Sequence, residues 1–296
     1  MNIYYGTTDC SIDVTDFCLE KLEKYGIITI PSNDCVRAQL FTDPLFGIVK
    51  KIIIRNNDTQ LEYDDKCIIR INIENNTITT TTDDIILDKL ANIHSNLKIN
   101  YGTFYEEFPE QKMAVRYLTG KEKVLEIGGN IGRNTLVIAH ILENDANLVS
   151  LECDVNTAQQ LTENRDINNF SFHIENAALS KRKLIQHVWA TIPSNTLLDG
   201  YTWVNTITWR ELNEKYNIEF DTLILDCEGA FYYILMDMPE ILNNIKLIIM
   251  ENDYHDISHK NYVDEILLKN NFTNQYTEAG GWGVCYYNFF EVWSKL

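Results

Sequence analysis

From Lys123 onward, apolar β-branched runs alternate with stretches of helical spacing, and this alternation constrains the fold more than any other feature of the sequence. Strands are expected at Val124–Ile127, Leu148–Leu151, Phe170–Ile174, Thr222–Leu225 and Leu247–Met250. Helices are expected at Thr135–Leu142, Thr157–Asn168, Phe231–Leu242 and Tyr262–Lys269, and a final β segment at Val284–Trp293. A strand followed by a helix and then another strand returns parallel to the first, so the repeated unit builds a mostly parallel sheet covered by helices on both faces. Apolar strands reaching polar residues at their carboxyl ends place ligand chemistry along that one edge.

Five such strand ends carry candidate residues. In Val124–Thr135 (VLEIGGNIGRNT) the strand reaches Glu126, turns through Gly128, Gly129, Asn130 and Gly132, and starts a helix at about Asn134. Glycines permit the sharp turn and a close approach to a ligand, and the helix N-terminus favours a carboxylate there. The dinucleotide fingerprint is broken by Asn130, which argues against a nicotinamide-dependent oxidoreductase. About twenty residues on, Glu152-Cys153 ends the second strand, where an acidic side chain can accept both hydroxyls of a ribose. Asn176 and Ala177 follow the third strand and leave room for a flat base. Asp226 and Glu228, with Gly229 next, end the fourth. Glu251 and His255 follow the fifth.

Together these motifs resemble those of the class I S-adenosylmethionine-dependent methyltransferases. Within them the chain is similar to the FkbM family over roughly residues 105–293. The resemblance rests on Glu126 to Gly132, Glu152, Asn176 to Ser180, Asp226-Cys227-Glu228-Gly229-Ala230 and Glu251. It implies a Rossmann-like α/β sheet, S-adenosylmethionine as cofactor, and O-methyl transfer to a sugar or glycan hydroxyl. The family's Asp-Ile-Gly-Ala-Asn is replaced by Glu126 and Gly129 variants, and its second acid after Gly-Ala is Phe231 here. The implied cofactor set is Glu126, Gly128, Gly129, Asn130, Gly132, Asn134, Glu152, Cys153, Asn176, Ala177 and Asp226. The catalytic candidates are Asp226, Glu228 and His255. Trp189, Tyr201, Trp203 and Glu251 are candidates for the acceptor pocket, the aromatic ones either stacking on a sugar ring or filling the core of an inserted hairpin. Tyr105, Glu110 and Gln111 precede the first strand and are placed to close over the cofactor. Mg²⁺ on Asp226, Glu228 and Glu251 is chemically compatible, because hard cations take oxygen ligands. It is not expected, since carboxylate clusters without an ion are common. An inactive methyltransferase fold serving as a scaffold, and a methyltransferase with a non-sugar acceptor, are the alternatives.

The first part of the chain is different. Residues 1–80 read as a small β-rich module, with β-branched runs at Ile27–Ile30, Val49–Arg55 and Cys67–Ile73 and a short helix at Asp16–Tyr25. This module resembles those of proteins from large DNA viruses of amoebae. No catalytic constellation is visible in it, and a role in binding a partner or in self-association is the expectation for it. Residues 81–118 read as a helical linker and cofactor lid, and 119–296 as the methyltransferase domain. The net charge of −18 disfavours a nucleic-acid partner, whose phosphates must be neutralised by Lys and Arg. Seven scattered cysteines without a C-x-x-C pair disfavour a disulfide framework or a zinc site. With no membrane span and no signal-peptide pattern at the N-terminus, a cytoplasmic location is expected, in a host cytoplasm or virion if the protein is viral.

Overall fold

The computed structural model describes residues 1–56, 59–188 and 190–295. Two compact units emerge, Met1–Asp88 and Lys89–Leu296. The helix Asp84–Asn96 crosses the division between them.

The first unit contains two antiparallel four-stranded sheets. One orders its strands Ser11–Asp13, Asn2–Gly6, Lys51–Asn56 and Thr59–Tyr63; the other Glu23–Lys24, Ile27–Ile30, Cys67–Asn72 and Ile78–Thr82. Its core holds two buried cations. Arg37 donates to the carbonyls of Pro31, Asp64 and Cys67, and Lys50 sits between Asp34 and Asp43 at 3.0 and 2.9 Å. The helix expected at Asp16–Tyr25 is cut short. Only Thr15–Phe17 is α-helical, and a wider turn runs on to Leu22. Tyr25 (φ 52°) and Gly26 (φ 79°) then form a hairpin linking Glu23–Lys24 to Ile27–Ile30, because two left-handed residues match the twist of paired strands. A helix absent from the sequence reading, Asp34–Phe41, is capped by the Asn33 side chain, which accepts from the Cys35 N–H.

The second unit is a seven-stranded Rossmann-like sheet. Its strands are β1 (Val124–Ile127), β2 (Leu148–Leu151), β3 (His173–Glu175), β4 (Thr222–Leu225), β5 (Leu247–Glu251), β6 (Phe272–Glu278) and β7 (Phe290–Lys295). They lie in the order β3-β2-β1-β4-β5-β7-β6, all parallel except β7. The order reverses between β1 and β4, which opens a crevice at their carboxyl ends. All four residues of β1, β2 and β4 are buried, the pattern of strands covered on both faces.

Two expectations need correction here. The strand expected from Phe170 starts only at His173, since Asn169 turns through φ 56° and the Phe170 N–H is still bound to the Arg165 carbonyl of the preceding helix. The final β segment is two elements: Gly283–Asn288 forms 3₁₀ turns, and β7 starts at Phe290. Its partner β6, with mixed polar side chains, lacks an apolar run to announce it. A three-stranded antiparallel sheet (Leu184–His187, Ala190–Pro193, Thr202–Val204) is inserted between β3 and β4. Among the described residues no helix is long and apolar enough to cross a membrane.

Candidate functional site

The carboxyl ends of β1, β2, β4 and β5 open into one cavity of about 640 Å³, a volume typical of small-molecule sites. Gly128, Asn130, Glu152, Cys153, Asp154 and Ala177 form part of its wall. Asp226, Glu228 and Glu251 lie on the same wall, with Glu107 and Glu110 from the segment before β1.

The turn after β1 is forced by close packing. Gly128 (φ 93°) approaches β4 so tightly that a Cβ there would lie 1.6 Å from the Asp226 carbonyl oxygen, and a Cβ on Gly129 would meet Ser150 Oγ at 2.0 Å. Asn130 adopts φ 45°, a conformation that Asn tolerates better than most residues, which explains why it can stand among glycines. Its N–H donates to Glu152 Oε2 at 3.0 Å, while the Asp154 N–H donates to Oε1 at 2.8 Å. Glu152 is therefore held at the cavity by two backbone donors, one on each oxygen. Burial raises its pKa and these N–H groups oppose the rise.

Several sequence candidates support the wall from behind. Glu126 is buried beneath the turn, where its Oε2 accepts from Thr135 Oγ1 and Ser150 Oγ, both at 2.6 Å. Burial lifts its pKa to about 7. Gly129 and Gly132 shape the turn without lining the cavity, and Asn134 is buried with its N–H directed to Glu107. Asn176 spends its side-chain amide on the carbonyls of Glu152 and Cys153, tying β3 to β2, so it is not free to read the edge of a base with those donors. Tyr201 and Trp203 lie off the wall. Tyr201 packs against His187, and Trp203 is 49% exposed. The inserted sheet reaches the cavity instead through Leu184, Gln186, Thr191 and Pro193. Trp189 lies outside the described residues. His255 is exposed, packs on Trp282 and does not line the cavity.

The other candidates converge into an acidic wall. Asp226 is reachable from the cavity, yet heavy atoms surround it. Its pKa is driven well up by burial and then by the charges of Glu107, Glu110, Asp253 and Glu228. Glu251 is pushed up to about 12 by burial and by its hydrogen bond with Glu110. Burial also raises Glu110, but its hydrogen bond with Glu251 lowers it while the same bond raises Glu251, the directions of a pair in which Glu251 donates to Glu110; Glu110 Oε2 is buried without a partner. Burial raises Glu228 too, but it is more exposed than Asp226, and His255 counteracts the rise. It stands at φ 50° in the turn leading to Gly229. Neither it nor Asp226 caps the following helix, whose N-cap Gly229 donates instead to Asp253 Oδ1 at 2.6 Å.

The carboxylates whose oxygens approach one another within 4.8 Å are Asp226, Glu251 and Asp253, so Asp253 takes the place expected of Glu228. The sequence reading also missed Glu107, held by Arg133 Nη1 at 2.9 Å and lifted to about 7 by burial. Of the residues expected to close over the cofactor, Glu110 lines the cavity. Gln111 is buried against His94, Phe104 and Glu106, and Tyr105 is 86% exposed.

No family model and no curated protein matches this chain. Solved structures are similar at low identity. A ribosomal protein L11 methylase from Lactobacillus delbrueckii subsp. bulgaricus is 10% identical, with a TM-score of 0.42, over 65% of this chain and 80% of its own. An O-methyltransferase from Bacillus cereus in complex with SAH is 14% identical, with a TM-score of 0.39, over 71% and 89%. A protein of the NADB-Rossmann superfamily from Streptococcus agalactiae is 12% identical, with a TM-score of 0.40, over 63% and 67%. The strand order by itself identifies the sheet as Rossmann-like, with one antiparallel strand, β7, between β5 and the edge strand β6.

Proposed function

We propose that this protein is an S-adenosylmethionine-dependent O-methyltransferase acting on a sugar or glycan hydroxyl. The observation that carries the reading is the position of Glu152. Two backbone N–H groups orient its carboxylate at the end of β2, beside the glycine turn and in the same cavity as Asp226 and Glu228. A carboxylate has about four acceptor positions, and two remain for the two hydroxyls of a ribose. Ala177 leaves space for the adenine beside Cys153, and the turn at Gly128–Asn130 accommodates the methionine part.

The reaction needs alignment more than covalent help. S-adenosylmethionine bound here would supply a methyl group on a sulfonium leaving group, and the residues of the wall would hold the acceptor oxygen in line with that bond. A hydroxyl must lose its proton as it attacks, so a carboxylate within reach has to take it. Glu228 suits that role best: burial raises its pKa but His255 opposes the rise, whereas burial and the neighbouring carboxylates all drive Asp226 upward. Asp226 and Glu251 then accept or donate hydrogen bonds to neighbouring hydroxyls.

Of the ionisable groups on the wall, Glu107, Glu110, Glu152, Asp154, Asp226, Glu228, Asp237 and Glu251 are acidic and only Arg182 is a permanent cation, itself paired with Asp237. Such a wall favours a neutral polyol over a phosphate-bearing acceptor or RNA. The likeness to the FkbM family in Asp226–Ala230 also favours a sugar. The test is transfer of a tritiated methyl group from S-adenosylmethionine to a panel of unphosphorylated glycans, sugar nucleotides and RNA. Labelling of RNA alone, or of nothing while the cofactor binds, would overturn the sugar reading.

A further inference from the structure

Three carboxylates from two adjacent strand ends meet beside the cavity. Asp226 follows β4, Glu251 ends β5 and Asp253 lies two residues on, and one oxygen of each lies within 4.8 Å of the others. Asp226 and Glu251 line the cavity wall, while Asp253 stands behind them, only 3% exposed.

Acidic groups brought this close need a reason. Within the described residues no lysine or arginine forms an ion pair with any of the three. The nearby buried Lys260 is committed to Asp264 and to Glu291 at 2.8 Å. Asp253 supplies an independent sign of a missing partner. Its Oδ1 accepts from the Gly229 N–H, but its Oδ2 is buried without any hydrogen-bond partner. A buried, unpartnered carboxylate oxygen is costly, so native sites fill such a position with a donor or a cation. One oxygen from each of three carboxylates meets in one place, which is the kind of donor set that hard divalent cations take, with oxygens at roughly 2.0–2.6 Å from the ion. The donor set is all oxygen, which selects hard divalent cations over zinc or copper.

We propose that Asp226, Glu251 and Asp253 form a binding site for one hard divalent cation on the wall of the cavity. With two ligands on the wall and one behind, the remaining coordination positions face the cavity. There they are open to water or to two neighbouring oxygens of an acceptor. That second role rests on the methyl-transfer reading above; the binding of the ion does not.

The test uses the full chain after exhaustive chelation, with no cofactor and no acceptor. MnCl₂, MgCl₂ and CaCl₂ are titrated separately by calorimetry, and Mn²⁺ is counted by the loss of its free-ion paramagnetic signal. One saturable site is expected, with a rise in the thermal midpoint at saturation. Asp253→Asn and Glu251→Gln should each weaken Mn²⁺ binding at least tenfold, while Asp237→Asn, on the same wall but outside the cluster, should change it less than threefold. Each amide matches a protonated carboxyl in shape, and two variants guard against one failing to fold. Absence of binding to the wild-type protein at 10 mM of all three ions would overturn the proposal. So would a folded Asp253→Asn that binds Mn²⁺ as tightly as the wild type. Calorimetry with S-adenosylhomocysteine in chelator is scored separately, so failure of the ion site and failure of the cofactor reading give different results.

Discussion

Replacing Glu152 by Ala removes a carboxylate whose two oxygens are already oriented by the N–H groups of Asn130 (3.0 Å) and Asp154 (2.8 Å). Because the carboxylate is preorganised, a ribose diol binding to it loses little additional side-chain entropy. Its loss should weaken S-adenosylhomocysteine binding by about 1–3 kcal/mol, the scale of charge-assisted hydrogen bonds exchanged for water. That corresponds to roughly 5- to 150-fold in Kd. Calorimetry with S-adenosylhomocysteine reads the effect, and the thermal midpoint without ligand reports the separate cost of leaving two N–H groups without this acceptor. A ligand analogue lacking the ribose hydroxyls discriminates further. Its affinity should be nearly insensitive to the substitution, because the coupling lies between Glu152 and those hydroxyls. Equal losses for both ligands, or a change under twofold for S-adenosylhomocysteine, would refute the assignment of Glu152 to the ribose.

Further outcomes follow from the same geometry. Glu228→Gln should lower turnover by ~100-fold or more, the usual scale for a general base, while cofactor affinity stays within about threefold; single-turnover methyl transfer and calorimetry measure the two. Gly128→Ala should cost roughly 3 kcal/mol or more, since a left-handed φ adds to a Cβ placed 1.6 Å from the Asp226 carbonyl oxygen. Urea denaturation would show the loss, and a stable, cofactor-binding variant would argue against this packing. Glu126 makes a pH prediction. Its folded pKa of about 7 lies above the ordinary 4.5, so the folded state binds the extra proton and stability falls as pH rises through that window, levelling off above it. The contribution is of order 3 kcal/mol, and Glu126→Gln should flatten this part of the stability profile measured by urea denaturation from pH 4 to 8.

The parallel core of the second unit was legible because its strands are short apolar runs with a polar residue at each carboxyl end. Val124–Ile127, Leu148–Leu151 and Thr222–Leu225 end in the sheet where their periodicity stops. Local chemistry also marked Gly128 and Glu152, since a left-handed turn and an acidic strand end are properties of a few consecutive residues. The sequence does not reveal how side chains from separate strand ends divide the work. Glu126 and Glu152 are both acidic and near the carboxyl ends of neighbouring strands, but Glu126 lies within β1, paired with Ser150 and buried beneath the turn, whereas Glu152 lies just past the end of β2 on the cavity wall. Glu228 and Asp253 could not be ranked from their spacing, because only the parallel pairing of β4 with β5 brings Asp253, rather than Glu228, into the group with Asp226 and Glu251. Trp203 and His255 show the converse: their chemistry suited a site, but the sheet and loop that carry them hold them away from the cavity wall. Residue type and period are local and can be read along the chain. Which carboxylates share a proton, a cation or a ligand depends on distances across strands, and those exist only once the sheet has formed.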